Sequence, residues 1–198
     1  MRQAERLEAT RSAIVGAATD QFGRLGYGET TMDAIAAAAG VAKGAVYHHF
    51  PTKERLFEVV FEATTAALAR QVGAASAAAV DVWDTMSIGT EAYFDVCSGG
   101  ARAQIILMDG PAVLGWARWR EIDSAYFGKT FSAVLTAAMK QELIAPQPVE
   151  PLARLLLGAV TEAAAACAAS ATPAEAGRAH AAAFRSLIEG LRRPPPVD

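Results

Sequence analysis

Cysteine and histidine are both scarce in this 198-residue chain: two Cys, at 97 and 167, and three His, at 48, 49 and 180. Two distant cysteines exclude a disulfide-stapled secreted scaffold and a thiolate zinc site, and they fit a reduced, cytoplasmic setting. His48 and His49 are neighbours in sequence, so on a helix their rings point apart, and no third ligand stands near them. Neither a metal nor a cofactor is therefore expected. Strand-like alternation of apolar and polar residues is missing as well. So is any convincing membrane span, because the alanine run 163–169 is short and abuts Glu162. The first residues are charged and lead into no apolar stretch, so no signal peptide and no membrane partner are expected. The nucleophile elbow G-x-S-x-G, the P-loop and H-E-x-x-H are all absent. Outside residues 48–49 the only imidazole is that of His180, so no catalytic residue is assigned and the chain is not expected to be an enzyme.

What is present is helix-forming. The chain is 53% hydrophobic and 20% charged, with alanine, leucine and arginine abundant, which points to an all-α protein able to bury a core. A net charge of −3 rules out a basic nucleic-acid coat, but the charge is uneven: residues 1–55 carry seven Lys/Arg against six Asp/Glu, the remainder 11 against 15. A near-neutral head on an acidic body suggests two parts, divided here as 1–55 and 56–198.

Apolar spacing predicts a first helix over about 6–25, with Ile14, Ala18, Phe22 and Leu25 on one face and Gly23, Gly26 and Gly28 ending it. Thr30 or Thr31 caps a short helix whose inner face is Met32, Ile35, Ala36 and Ala39, and Gly40 stops it. Another short helix follows over 43–49, then Phe50-Pro51, and Thr52 caps a longer helix that softens near Gly73 and the alanines after it. Further helices are expected from the cap at Asp81 to Cys97, over about 101–108 with a break at Asp109-Gly110-Pro111, and over about 116–143. A helix from about Val149 follows. A last one starts at Thr172-Pro173-Ala174-Glu175, a complete capping signal, and ends before an unstructured Arg192–Pro196.

Two short helices joined by a glycine turn and buttressed by a preceding helix read as a helix-turn-helix. Ile35, Ala36, Val41 and Val46 would form its small core. The outer face of the second helix then offers Lys43, Gly44, Ala45, Tyr47, His48 and His49: a cation, polar aromatic tips and small residues that let the backbone approach DNA. The succession Thr31, Ile35-Ala36, Gly40-Val41, Val46-Tyr47, Phe50-Pro51 and Thr52-Lys53 resembles the DNA-binding head of the TetR-family repressors, and the likeness extends upstream through Ile14, Ala18, Phe22 and Gly26.

The resemblance implies a three-helix DNA-binding head, followed by a helical body that binds a small molecule and dimerises. It implies that Thr31, Tyr47 and Lys53 grip phosphates, and that Lys43, Gly44, Ala45, His48 and His49 face bases or the groove. One departure is Asp33, where some relatives carry a basic or polar residue. A carboxylate there repels phosphates unless it accepts a cytosine amino group or turns away. The stretch from Asp109 to Asp123 is also similar to part of a subset of these regulators.

The resemblance places the homodimer contact on the last two long helices. The local chemistry agrees, with Ala159, Ala163, Ala166 and Ala183 allowing close approach and Leu156, Val160, Phe184 and Leu187 adding apolar area. Bulky residues of the body are the candidate effector pocket: Trp83, Met86, Tyr93, Met108, Trp116, Trp119 and Phe127, with Phe94, Tyr126 and Phe131 nearby in sequence. Each of them also reads as plain core. His180 on an apolar stripe reads first as an interface histidine. The expected function is a one-component regulator, in this family most often a repressor, that binds a palindromic double-stranded operator as a homodimer and is released by a small, largely apolar effector. The alternative is a noncatalytic helical carrier of an apolar molecule, which would show no salt-sensitive duplex binding.

Overall fold

The computed structural model describes residues 2–193. Helices α1 (Arg2–Glu29), α2 (Met32–Ala39), α3 (Lys43–His49), α4 (Lys53–Ser76) and α5 (Val82–Cys97) come first. A short α6 (Gly100–Ala103) runs into a π-helical stretch (Gln104–Asp109) and α7 (Gly110–Asp123). A second π stretch (Ser124–Gly128) leads to α8 (Lys129–Lys140), and α9 (Val149–Ala168) and α10 (Pro173–Glu189) complete an all-α chain. The only extended pairing among the described residues is a bridge between Ile144 and Arg192.

Two compact units divide the helices. The first comprises residues up to Thr65 together with Gly100–Trp119, the second Ala66–Gly99 and the residues from Arg120 onward. In the first unit Ile14, Ala18, Phe22, Ile35, Val46 and Phe57 are fully buried. Phe22, Tyr27 and Phe57 form a ring cluster, with Phe57 edge-on to both partners at 5.2 Å. In the second unit α5, α8, α9 and α10 pack around Phe94, Leu135, Leu156 and Phe184.

Several local expectations are corrected. Gly23 does not end α1; a Cβ there would stand 2.4 Å from that of Ala101, so this glycine permits close packing against α6. The helix breaks at Gly26 instead, whose φ of 79° suits glycine. Asp109-Gly110-Pro111 does not interrupt the helical path. The preceding π turn widens the backbone where the Pro111 ring would otherwise meet the carbonyl one turn back. The break falls at Gly115, with φ 74°. Thr172 is the N-cap residue of α10, but its side chain makes no capping bond; its backbone N–H is held by Ser170 Oγ at 3.1 Å. Arg192 and Arg193 are structured, Arg193 N–H donating to Leu143 O at 2.8 Å and the Arg192 guanidinium lying 4.8 Å from the Trp83 ring centroid. Pro194–Pro196 lie outside the described residues. Of the described helices, α9 is long and apolar enough to cross a membrane, although 39% of that stretch is buried within the protein.

Candidate functional site

The α2–α3 pair is built by its two ends. Thr31 is extended, and its Oγ1 accepts the Ala34 N–H at 3.1 Å, satisfying one of the donors that a helix start leaves open. Gly40 takes a left-handed φ of 66°, and the Gly40 and Val41 N–H groups close back onto Ala37 O and Ala36 O. This double closure ends α2 in a fixed direction and so sets the start of α3. Met32, Ile35 and Ala36 anchor α2 inward and Val46 anchors α3.

The opposite face is open. Thr31, Lys43, Gly44, Tyr47 and His48 are exposed, and Ala45 and His49 half-buried. Seven of the eight residues assigned to DNA thus belong to the helix-turn-helix, Thr31 as the N-cap of α2 and the rest in α3. The eighth, Lys53, has a second task. Its Nζ donates to Tyr27 O at 2.8 Å and Thr30 O at 2.9 Å, and lies 4.1 Å from the Tyr27 ring centroid. Lys53 therefore ties the α1–α2 corner to the start of α4, a role that nothing in its sequence spacing announces. The other cations of this region are also paired: Lys43 with Asp33, and Arg55 with Glu58, which also accepts from Arg118 Nε at 2.8 Å. Burial acts to raise the Glu58 carboxyl, but hydrogen bonds from Arg118 and Arg55, and their charges, outweigh it and hold the group below its ordinary range.

The second unit contains a cavity of about 100 Å³ between α4, α5, α8 and α9, with residues of the second π stretch in its wall. Met86, Tyr93 and Phe127 line it, as do Tyr126 and Phe131. Trp83, Met108, Trp116 and Trp119 do not, which corrects the aromatic list drawn from sequence. Trp119 is buried in the first unit with its Nε1–H on Ile106 O at 2.8 Å, while Trp116 stacks on it and is 62% exposed. Met108 is exposed, and Trp83 is buried beneath Arg192. Small residues missed by a search for bulky ones complete the wall, notably Ala69, Gly73 and Gly89. Where a wall is made of alanine and glycine, space remains. None of the described lining residues carries a charge; the polar groups are the hydroxyls of Ser76, Thr85, Thr90 and Thr130 and of the two tyrosines.

Beside this cavity Tyr93 is buried next to the Cys97 thiol, and its hydroxyl makes no hydrogen bond of ordinary geometry. Burial pushes the Tyr93 phenol well above its usual range. Burial likewise raises the Asp123 carboxyl to about 6, against the opposing pull of Arg120 at 3.3 Å. Among the described residues no group of three His, Cys, Asp or Glu is gathered as a metal site.

Of the residues assigned to the dimer contact, Leu156, Val160 and Phe184 are buried within their own subunit, at 4%, 2% and 6% exposure. That part of the assignment is corrected: these side chains lie on the stripes of α9 and α10 that pack within the subunit, against α5 and against each other's helix. Ala163 is half-buried and Leu187 exposed. The outward stripe is Leu155, Ala159, Glu162 and Ala166 on α9, with Ala179, Ala183 and Leu187 on α10. His180 sits on the inner side of α10, its Nδ1 2.9 Å from Ala176 O and 3.3 Å from Cys167 Sγ.

Comparison with known proteins gives the family of the chain. Residues 14–60 match the model for bacterial regulatory proteins of the tetR family, and residues 83–191 the tetracyclin repressor-like C-terminal domain. A TetR-family transcriptional regulator (ECA1819) from Pectobacterium atrosepticum superposes with a TM-score of 0.84 at 28% identity, covering 97% of this chain and 98% of its own. The transposon Tn10 TetC protein of Escherichia coli is 22% identical over 156 residues, 79% of each chain. The probable acrEF/envCD operon repressor of E. coli K12 is 44% identical over 48 residues, 24% of this chain and 22% of its own. With its C-terminal match alone spanning more than half of the sequence, the chain belongs to the TetR family of transcriptional regulators.

Proposed function

We propose that the protein is a one-component repressor that binds a palindromic operator as a homodimer and is released by a small, uncharged, largely apolar effector. Residues 1–55 act on DNA, and residues 56–198 hold the effector and the partner subunit. The observation that carries this reading is a pairing of features: an exposed helix-turn-helix face of Thr31, Lys43, Gly44, Tyr47 and His48, and an uncharged cavity in the other unit. One such head reads only a few base pairs, so two must occupy successive major-groove faces about 34 Å apart. The outward small-residue stripe of α9 and α10 suits a close helix–helix contact between subunits.

The cavity favours a small effector. Its volume of about 100 Å³ is below the ~150 Å³ that accommodates benzene in an engineered core. A charged group would lose its hydration there with no opposite charge in the wall, so the effector is neutral, with at most a hydroxyl or carbonyl to meet the tyrosine and threonine hydroxyls. Release follows if the effector prefers a conformation whose heads are wrongly spaced; about 1.4 kcal/mol of such preference gives a tenfold loss of operator affinity.

Selection of bound duplexes from a random library supplies the operator, and a set of small neutral aromatic and aliphatic compounds is then screened for raised melting temperature and lowered operator affinity. An active compound should lose both effects in Ala69→Leu, which fills the cavity. A wild-type protein without salt-sensitive duplex binding would overturn the reading in favour of a carrier.

A further inference from the structure

The face assigned to DNA carries a carboxylate. Asp33 stands in the first turn of α2, and its two oxygens receive the Lys43 ammonium at 2.8 and 2.9 Å. Both side chains are exposed, at 62% and 60%, so the pair is at the surface rather than in the core. Lys43 is the first residue of α3, and its Nζ lies 6.0 Å from the Tyr47 ring centroid. The acid, the cation and the aromatic thus form one short row across the helix-turn-helix face. Hydrogen bonding to Asp33, followed by its charge, raises the Lys43 ammonium above its usual range.

An acidic residue at a helix start favours the helix dipole, and that would suffice to explain Asp33 in isolation. It does not explain why the carboxylate reaches across to α3. The consequence lies in the charge balance. Asp33 and Lys43 are the only Asp, Glu, Lys or Arg residues of α2 and α3, and they cancel. Just beyond, Arg55 is paired with Glu58, whereas Lys53 is held by two neutral carbonyls and keeps its charge. These two helices by themselves offer a passing phosphate backbone little net attraction, although such attraction is the source of nonspecific binding.

We infer that Asp33 is a specificity-determining positioning residue: it acts through Lys43, holding the ammonium away from phosphates so that it is yielded to a base edge. On a nonspecific duplex Lys43 must leave its carboxylate for a phosphate, and the exposed carboxylate is then left close to the negatively charged backbone. On the operator an acceptor such as guanine O6/N7 takes the ammonium where it stands. The acid therefore lowers binding to wrong sequences more than binding to the right one. This inference rests on α3 being the element that docks on DNA.

The test compares wild type, Asp33→Asn, Asp33→Glu and Lys43→Met, and the double variant Asp33→Asn/Lys43→Met, on the selected operator and on a scrambled duplex of equal length. Removing the charge in Asp33→Asn should raise scrambled-duplex affinity roughly 3–10-fold near 0.1 M salt and steepen its salt slope by about one. Operator affinity should change less, so the ratio of the two narrows. Asp33→Glu keeps the charge and should keep the wild-type slope. In the Lys43→Met background Asp33→Asn should change affinity and slope much less, since the released cation is gone and only the carboxylate's own repulsion is removed. Thermal melting confirms that each variant is folded. If Asp33→Asn leaves the scrambled-duplex slope and affinity as they were, or weakens the operator alone, the inference falls while the docking reading stands. If wild type binds neither duplex, both fall.

Discussion

The Asp109 carboxylate accepts the backbone N–H of Tyr27 at 2.8 Å, joining residues 82 apart in sequence. Tyr27 follows Gly26, where the chain leaves the helical path, so its N–H loses a partner within the helix. The same corner presents the Tyr27 and Thr30 carbonyls to Lys53. One acid and one base thus hold, from two sides, the turn from which Thr31 caps α2. Asp109→Ala should lower stability by about 1–2 kcal/mol, since a charge-assisted bond is lost and a partly buried donor is left open. For a chain of this size that is a fall in Tm of about 3–6 °C, with weakened operator binding. An unchanged melting curve would show that the bond is dispensable.

Lys53→Ala should separate from an ordinary phosphate-contact variant. Losing a phosphate contact flattens the salt dependence of DNA binding by about one unit. Here two backbone carbonyls also lose their donor, so chemical denaturation should register a further loss of about 1–2 kcal/mol. Lower affinity with full stability would mean that the carbonyl bonds contribute nothing net.

Leu187→Glu and Leu155→Glu test the subunit contact, because both side chains are exposed, at 52% and 71%. Each should give folded monomer by sedimentation, with greatly reduced operator affinity. Phe184→Glu should instead fail to fold. It places a carboxylate in a core where even truncation of a Phe costs about 3–5 kcal/mol. A folded Phe184→Glu monomer would put the interface back on the inner stripe.

Asp123 predicts a pH dependence with a definite sign. Burial raises its carboxyl from 3.8 to about 6, and one of its oxygens has no hydrogen-bond partner among the described residues. The folded state therefore holds this proton more tightly than the unfolded chain does. The stabilisation it brings is full below about pH 4 and is lost as pH rises through about 6, a change of about 3 kcal/mol for a shift of this size. Asp123→Asn lacks this titration, so its stability relative to wild type should rise between pH 4 and pH 7. A constant difference in denaturation free energy across that range would refute the assignment.

The helix-turn-helix was legible because its determinants are local. Thr31, Gly40 and Val46 act through caps, a left-handed turn and helical periodicity, all within one or two turns of the chain. The start of α5 at Asp81 follows from equally local chemistry. The cavity wall was legible only in part, because a list of bulky side chains finds what fills space, whereas a cavity depends on the small residues that leave it open.

The amino-acid sequence by itself determined the all-helical character, the position of the helix-turn-helix and the family, since periodicity, capping and turn residues act over a few positions. Tertiary structure decided which stripe of α9 and α10 faces inward, that Gly100–Trp119 joins the first unit, and that Lys53 and Asp109 brace one corner. On helices as rich in alanine as α9 and α10 both faces are apolar enough to be buried, so periodicity alone leaves the choice open. Only the packing of α9 against α5, α8 and α10, and of α10 against α5 and α9, selects Leu156 and Phe184 for the core and leaves Leu155 and Leu187 at the surface.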